Sequence, residues 1–74
     1  MIHYSKIHEL VDVVPVFSIG WVAESGEKIY VRKATCTSFH SSGETLNIKI
    51  IDSGLIRKVN RITITEFNGE EVFV

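Results

Sequence analysis

Apolar residues recur along this chain with two different periods, and the change of period falls at Pro15. Ahead of it, Ile7, Leu10 and Val11 fall on one stripe of a helix, Ser5 is placed to cap that helix, and Pro15 disfavours helical geometry at Val14. A short helix is therefore expected within residues 1–14, its apolar stripe plugging an open end of a sheet. After Pro15 the period is two. Phe17, Ile19, Trp21 and Ala23 alternate with Val16, Ser18, Gly20 and Val22, the pattern of a strand with one face buried. Gly20 inside that strand predicts a bulge or a close backbone crossing, and Trp21 is expected in the core. Glu24-Ser25-Gly26-Glu27 reads as a turn, so a hairpin joins this strand to the one that begins at Lys28.

The second strand changes phase within itself. Ile29 and Val31 share one face, whereas Ala34, Cys36 and Ser38 share the other, so the small residues reach the core only if one residue is inserted between the two sets. A bulge is predicted at Arg32-Lys33, with Cys36 inside as a small hydrophobe. Phe39-His40-Ser41-Ser42-Gly43-Glu44 is the most polar stretch between apolar runs and the best loop candidate for contact with a partner. Thr45 to Ile51 is a strand with Leu46, Ile48 and Ile50 inward, and Asp52-Ser53-Gly54 turns the chain. Leu55 to Val59 follows, Ile62 and Ile64 resume an alternating strand, Asn68-Gly69 is a strong two-residue hairpin signal, and Glu71 to Val74 closes the sheet.

Turns at this spacing divide residues 16–74 into five or six short strands, so a mainly β fold is expected, a small barrel preceded by a short N-terminal helix. No helix is visible after Pro15. An oligonucleotide-binding (OB-like) barrel usually carries a helix between its third and fourth strands, so an SH3-like barrel is preferred and the OB-like barrel is the alternative. A length of 74 residues makes a single domain. At that size only about 60% of the unfolded surface is buried, so nearly every apolar residue must contribute to the core. With 45% hydrophobic and 23% charged residues the chain is too apolar for disorder.

The strand-and-turn residues Thr45-Leu46-Asn47-Ile48-Lys49, Ser53-Gly54, Ile56-Arg57-Lys58-Val59, Ile62-Thr63-Ile64 and Phe67-Asn68-Gly69-Glu70-Glu71-Val72 carry a resemblance. They resemble those of short uncharacterised proteins encoded by bacteriophages and mobile elements of gut bacteria. The resemblance covers the C-terminal two-thirds and implies a biological setting, with no functional residues to carry over.

Charge alters the picture of the surface. Residues 28–61 hold seven of the eight basic residues and two of the nine acids, a net +5, which leaves a net −6 for the rest. With a formal net charge of −1, any attraction to nucleic acid must be local. Lys28, Tyr30 and Arg32 share a strand phase, and with Lys49 and Arg57 or Lys58 on neighbouring strands they would form a basic patch. In that patch Tyr30 and Phe39 are the aromatics able to stack on bases. The candidate contact residues are therefore Lys28, Tyr30, Arg32, Phe39, His40, Lys49, Arg57 and Lys58. Basic residues on strands also serve simply to discourage edge aggregation. The C-terminal Glu71-Val72-Phe73-Val74 is a second candidate surface, a strand free to pair with another chain unless Phe73 closes the core.

Catalytic frameworks are missing: there is no phosphate-binding glycine loop, GxSxG elbow, HExxH or calcium-loop spacing. His3 and His8 stand about 140° apart around a helix, off any shared metal-binding face. Ser41, His40 and Asp52 would make a triad only on paper, since adjacent residues seldom supply nucleophile and base with the required geometry. The lone Cys36 allows no internal disulfide, and there is neither a charged leader before a long apolar stretch nor a membrane span, so a cytoplasmic location is expected. The expected function is a non-enzymatic binding or assembly module without cofactor, metal or small-molecule substrate. Its partner is another protein or a further copy of the chain, with nucleic acid as the alternative.

Overall fold

The computed structural model describes residues 1–39 and 44–74. Along them run strand β1 (Ile2–His3), a 3-10 turn (Tyr4–Lys6), helix α1 (Ile7–Val13), β2 (Phe17–Val22), β3 (Lys28–Phe39), β4 (Thr45–Ile50), β5 (Ile56–Asn60), a second 3-10 turn (Arg61–Thr63), β6 (Ile64–Phe67) and β7 (Glu70–Phe73). The mainly β fold with one short helix is as expected. The strands form one sheet in the order β1-β7-β6-β2-β3-β4-β5, antiparallel except for the β1–β7 pair. Its hydrogen bonding does not close: among the described residues β1 and β5 are the two ends. Seven strands replace the five or six expected, because two residues ahead of the helix add a strand.

Alternation decides which face is buried. Directly paired residues project to the same side, and the inner face reads across the sheet as Phe17–Ala34–Ile50, Phe67–Ile19–Val31, Ile64–Trp21–Ile29 and Val59–Leu46–Phe39. Most of these are buried, and α1 adds Ile7 and Val11 to the same core, with Leu10 packed against it. The predicted apolar stripe is thus the buried one. The helix does not begin as predicted: Ser5 lies in the 3-10 turn, its N–H donates to His3 Nδ1 at 3.3 Å, and α1 starts after Lys6 with no side-chain cap.

The bulge at Arg32-Lys33 is present. Between the pairs Phe17–Ala34 and Ile19–Val31, β2 advances two residues and β3 advances three, so Arg32 and Lys33 both stand opposite Ser18. Both are exposed while Val31 and Ala34 are buried. This brings Cys36 to the core side, where it is half-buried. A second extra residue, Thr37, shifts the register between Cys36 and Ser38, and its hydroxyl donates to the Asn47 carbonyl at 3.2 Å. A third, Thr65, lies on β6 opposite the Gly20–Trp21 step. Gly20 therefore marks a bulge, although the extra residue is on its neighbour. A Cβ added at Gly20 would meet Glu66 Cβ at 3.5 Å, so the backbones do not cross closely there.

The turns that fall within the described residues form where expected. The Ala23 N–H donates to the Glu27 carbonyl at 2.9 Å, and the Gly54 N–H donates to that of Ile50 at 2.7 Å. Asn68 (φ 51°) and Gly69 (φ 82°) both take the left-handed conformation that a two-residue hairpin of this type requires. Three readings of the C-terminal end are not met. Ile62 is not in a strand, because Asn60 Oδ1 accepts from the Ile62 N–H at 3.1 Å and winds Arg61–Thr63 into a 3-10 turn that leaves Ile62 exposed. Nor does Phe73 close the core: Val72 is the buried residue, and Phe73 meets the His3 ring edge-on at 5.1 Å. The outer edge of β7, expected free to pair with another chain, is covered at Val72 and Phe73 by β1.

Candidate functional site

The candidate contact residues divide between the two faces of the sheet. Lys28, Tyr30 and Arg32 project outward from β3 as their shared phase requires, with Tyr30 56% exposed. On the outer face of the other half, Lys49 stands opposite Ile56 and Lys58 opposite Asn47, which makes the two lysines diagonal neighbours. Arg57 is on the inner side: it continues the row Cys36–Ile48–Arg57, and only its position on the last strand keeps it in solvent. Phe39 pairs with Leu46 and therefore faces inward. Its ring meets that of His8 edge-on at 6.4 Å, so Phe39 and Tyr30 project from opposite faces. His40 lies outside the described residues, as does most of the loop placed at 39–44.

The single basic patch is thereby split. Tyr30 pairs with Gly20, and that row runs on through Glu66 to Glu71, from a basic strand into an acidic one. Lys49 and Lys58 belong to the second half, beyond the Arg32-Lys33 bulge. Lys33 is exposed and its carbonyl accepts from the Ile51 N–H at 3.1 Å, which ties the bulge to the β4–β5 turn. Arg61 is absorbed into the structure. Its guanidinium lies over the Tyr4 ring at 5.0 Å, Nη1 is 3.5 Å from His8 Nδ1, and its N–H donates to the Glu44 carbonyl at 2.8 Å. Among the described residues no carboxylate lies within ion-pair distance of Lys28, Arg32, Lys33, Lys49, Arg57 or Lys58.

A cleft on the inner side gives Arg57 a context that periodicity alone did not reveal. It has a volume of about 630 Å³ and runs between the start of the β2–β3 hairpin and β5. Trp21, Ile29 and Val59 supply its apolar lining, Arg57 its inward-facing cation and Glu24 a carboxylate, while Lys58 borders it from the outer face. Among the described residues β5 pairs with β4 alone, so its second edge has no partner strand there. Exposed apolar side chains cluster at that edge and the turn before it: Ile51, Leu55 and Ile56, the last 56% exposed. An open strand edge beside an apolar cleft with cations at its mouth can accept an extended chain through backbone hydrogen bonds.

Other chemistry is sparse. Burial pushes the Cys36 thiol up from its ordinary value; a hydrogen bond with the Ser38 backbone draws it down by less, and Asp12 adds to the rise. A thiol so placed is a poor nucleophile at neutral pH. Among the described residues no group of three or more His, Cys, Asp or Glu side chains is placed to hold a metal ion, and no helix is long and apolar enough to cross a membrane. No family model matches the chain, and no curated protein or solved structure is significantly similar to it.

Proposed function

We propose that the chain is a small non-enzymatic binding module that takes a protein partner on the open edge of β5 and in the adjoining cleft. The observation that carries this reading is the coincidence at β5, among the described residues, of an unpaired strand edge, an apolar cleft of about 630 Å³ and two cations without ion pairs. We read the sheet itself as an SH3-like barrel. In support, residues from β2 to β7 on one face of a single sheet share one core, Val59 and Val72 included, so the sheet must wrap. The OB-like alternative has less support, because β4 and β5 are joined by a turn and not a helix. A cytoplasmic setting in bacteriophages or mobile elements rests on the sequence resemblance and on the lone cysteine.

Nucleic acid is the second reading, favoured by the unpaired Lys49 and Lys58 on the outer face. Two placements count against it. Tyr30 and Phe39 cannot stack on one strand from opposite faces, and the Tyr30 row continues into Glu66 and Glu71. Phosphate binding needs a continuous cationic track.

Selection of ligands from a random peptide library, followed by amide chemical-shift mapping, tests the proposal. Selected peptides should shift resonances of residues 56–60 and the Trp21 indole. Ligands that leave those signals unmoved would overturn it, as would binding of a single-stranded oligonucleotide with a steep salt dependence that exceeds the binding of any peptide.

A further inference from the structure

The register of β5 restricts what can lie against it. Arg57 and Val59 project to the cleft side, Ile56 and Lys58 to the outer side. In an antiparallel strand added to this edge, the residues facing Lys58 and Arg57 are consecutive, one on each side of the sheet. Flanking them, the residue opposite Val59 enters the cleft over Trp21 and Ile29, and the residue opposite Ile56 covers an exposed apolar side chain.

We infer that the occupant of β5 is an extended acidic segment of another protein with two adjacent carboxylates between apolar residues, a pattern of the type Val-Glu-Glu-Val. The inference rests on β5 being the contact edge. Neither Arg57 nor Lys58 has a carboxylate within ion-pair distance among the described residues, so both charges are available to it. Among the described residues the only acidic residue lining the cleft is Glu24.

The same charges reject a second copy. An antiparallel β5–β5 pair centred on residue 57 or 58, or between them, sets cation opposite cation, which is destabilising. The chain's own acidic pair, Glu70-Glu71, is held in β7 and cannot be offered without dismantling the sheet.

Fluorescence polarisation with three labelled hexapeptides, centred on Val-Glu-Glu-Val, Val-Ser-Ser-Val and Val-Lys-Lys-Val, separates the inference from the reading beneath it. The acidic peptide should bind about two- to thirtyfold more tightly than the serine peptide, as expected of two favourable cross-strand charge pairs. In the double variant Arg57→Glu/Lys58→Glu the preference should invert toward the lysine peptide. Methylating alternate amides of the acidic peptide should abolish binding. Equal binding of the acidic and serine peptides would overturn the acidic preference and leave the edge reading standing. Failure of all three peptides at low salt would overturn both. Acidic-peptide binding unchanged by the double variant or by methylation would place the contact elsewhere and overturn the inference.

Discussion

At Asn68 one side chain serves two purposes. Its φ of 51° is a conformation that costs most residues about 1–2 kcal/mol but that asparagine tolerates. Its Oδ1 also accepts from the Ser18 N–H at 3.0 Å, while the Ser18 carbonyl accepts from the Asn68 N–H at 2.9 Å. The β6–β7 hairpin is thus pinned to β2 at the residue that faces the Arg32-Lys33 bulge. Asn68→Gly keeps the conformation and loses the side-chain bond, so it should cost about 1 kcal/mol; Asn68→Ala loses both and should cost about 2 kcal/mol or more. Urea unfolding followed by Trp21 fluorescence measures both, and equal losses would show that the hydrogen bond alone matters. Cys36 makes a prediction of pH dependence. Its folded-state thiol is raised above the unfolded value of about 8.5, so the stability it contributes is complete below that value and is lost as pH rises through the folded one. Between pH 7 and pH 10 the wild-type chain should therefore lose more stability than Cys36→Ala, and identical losses would show that burial does not raise the thiol.

Within elements, much of the fold was legible because the rule that produces it is local. The Phe17–Ile19–Trp21 alternation, the Asn68-Gly69 turn and the apolar stripe of α1 are all written within one element. So was the Arg32-Lys33 bulge, since Val31 and Ala34 are three residues apart and both must be buried. Its consequence can be tested by length. Inserting one alanine after Lys33 would turn every later side chain of β3 over, setting Thr35 inward and Ala34 and Cys36 outward, and should abolish cooperative folding. Lys33→Ala keeps the count and should change stability by less than about 0.5 kcal/mol. Circular dichroism with thermal melting distinguishes the two, and a folded insertion variant would show that the bulge does not fix the register. What stayed illegible depended on partners distant in sequence. Nothing near Ile2 announces a strand whose partner is Val72, and nothing near Arg57 tells that its row leads through Ile48 to Cys36. The Asn60 cap was readable in principle, but an apolar alternation through Ile62 and Ile64 outweighed it.

For the whole molecule, the charge split seen along the sequence becomes a split across the sheet. Glu66, Glu70 and Glu71 lie on β6 and β7, whereas Lys49, Arg57 and Lys58 lie on β4 and β5 at the other end of the strand order. Two opposing effects follow. The poles attract each other across a molecule about 29 by 27 by 23 Å, and each pole repels itself at strand-to-strand distance. Glu66 stands directly opposite Glu71, and Lys49 is diagonal to Lys58. Directly opposed and diagonal residues are separated by roughly 5–8 Å, against three strand spacings of about 4.8 Å each between β6 and β4, so repulsion within a pole outweighs attraction between poles. Salt should therefore stabilise this fold. Raising sodium chloride from 10 mM to 500 mM shortens the screening length from about 30 Å to below 8 Å, and the urea midpoint should rise. Glu71→Lys, which turns the opposed pair into an attractive one, should stabilise the chain by about 0.5–1 kcal/mol at low salt and diminish the salt response. A midpoint that falls with salt would mean that attraction between the poles holds the sheet together, and Glu71→Lys should then weaken the fold.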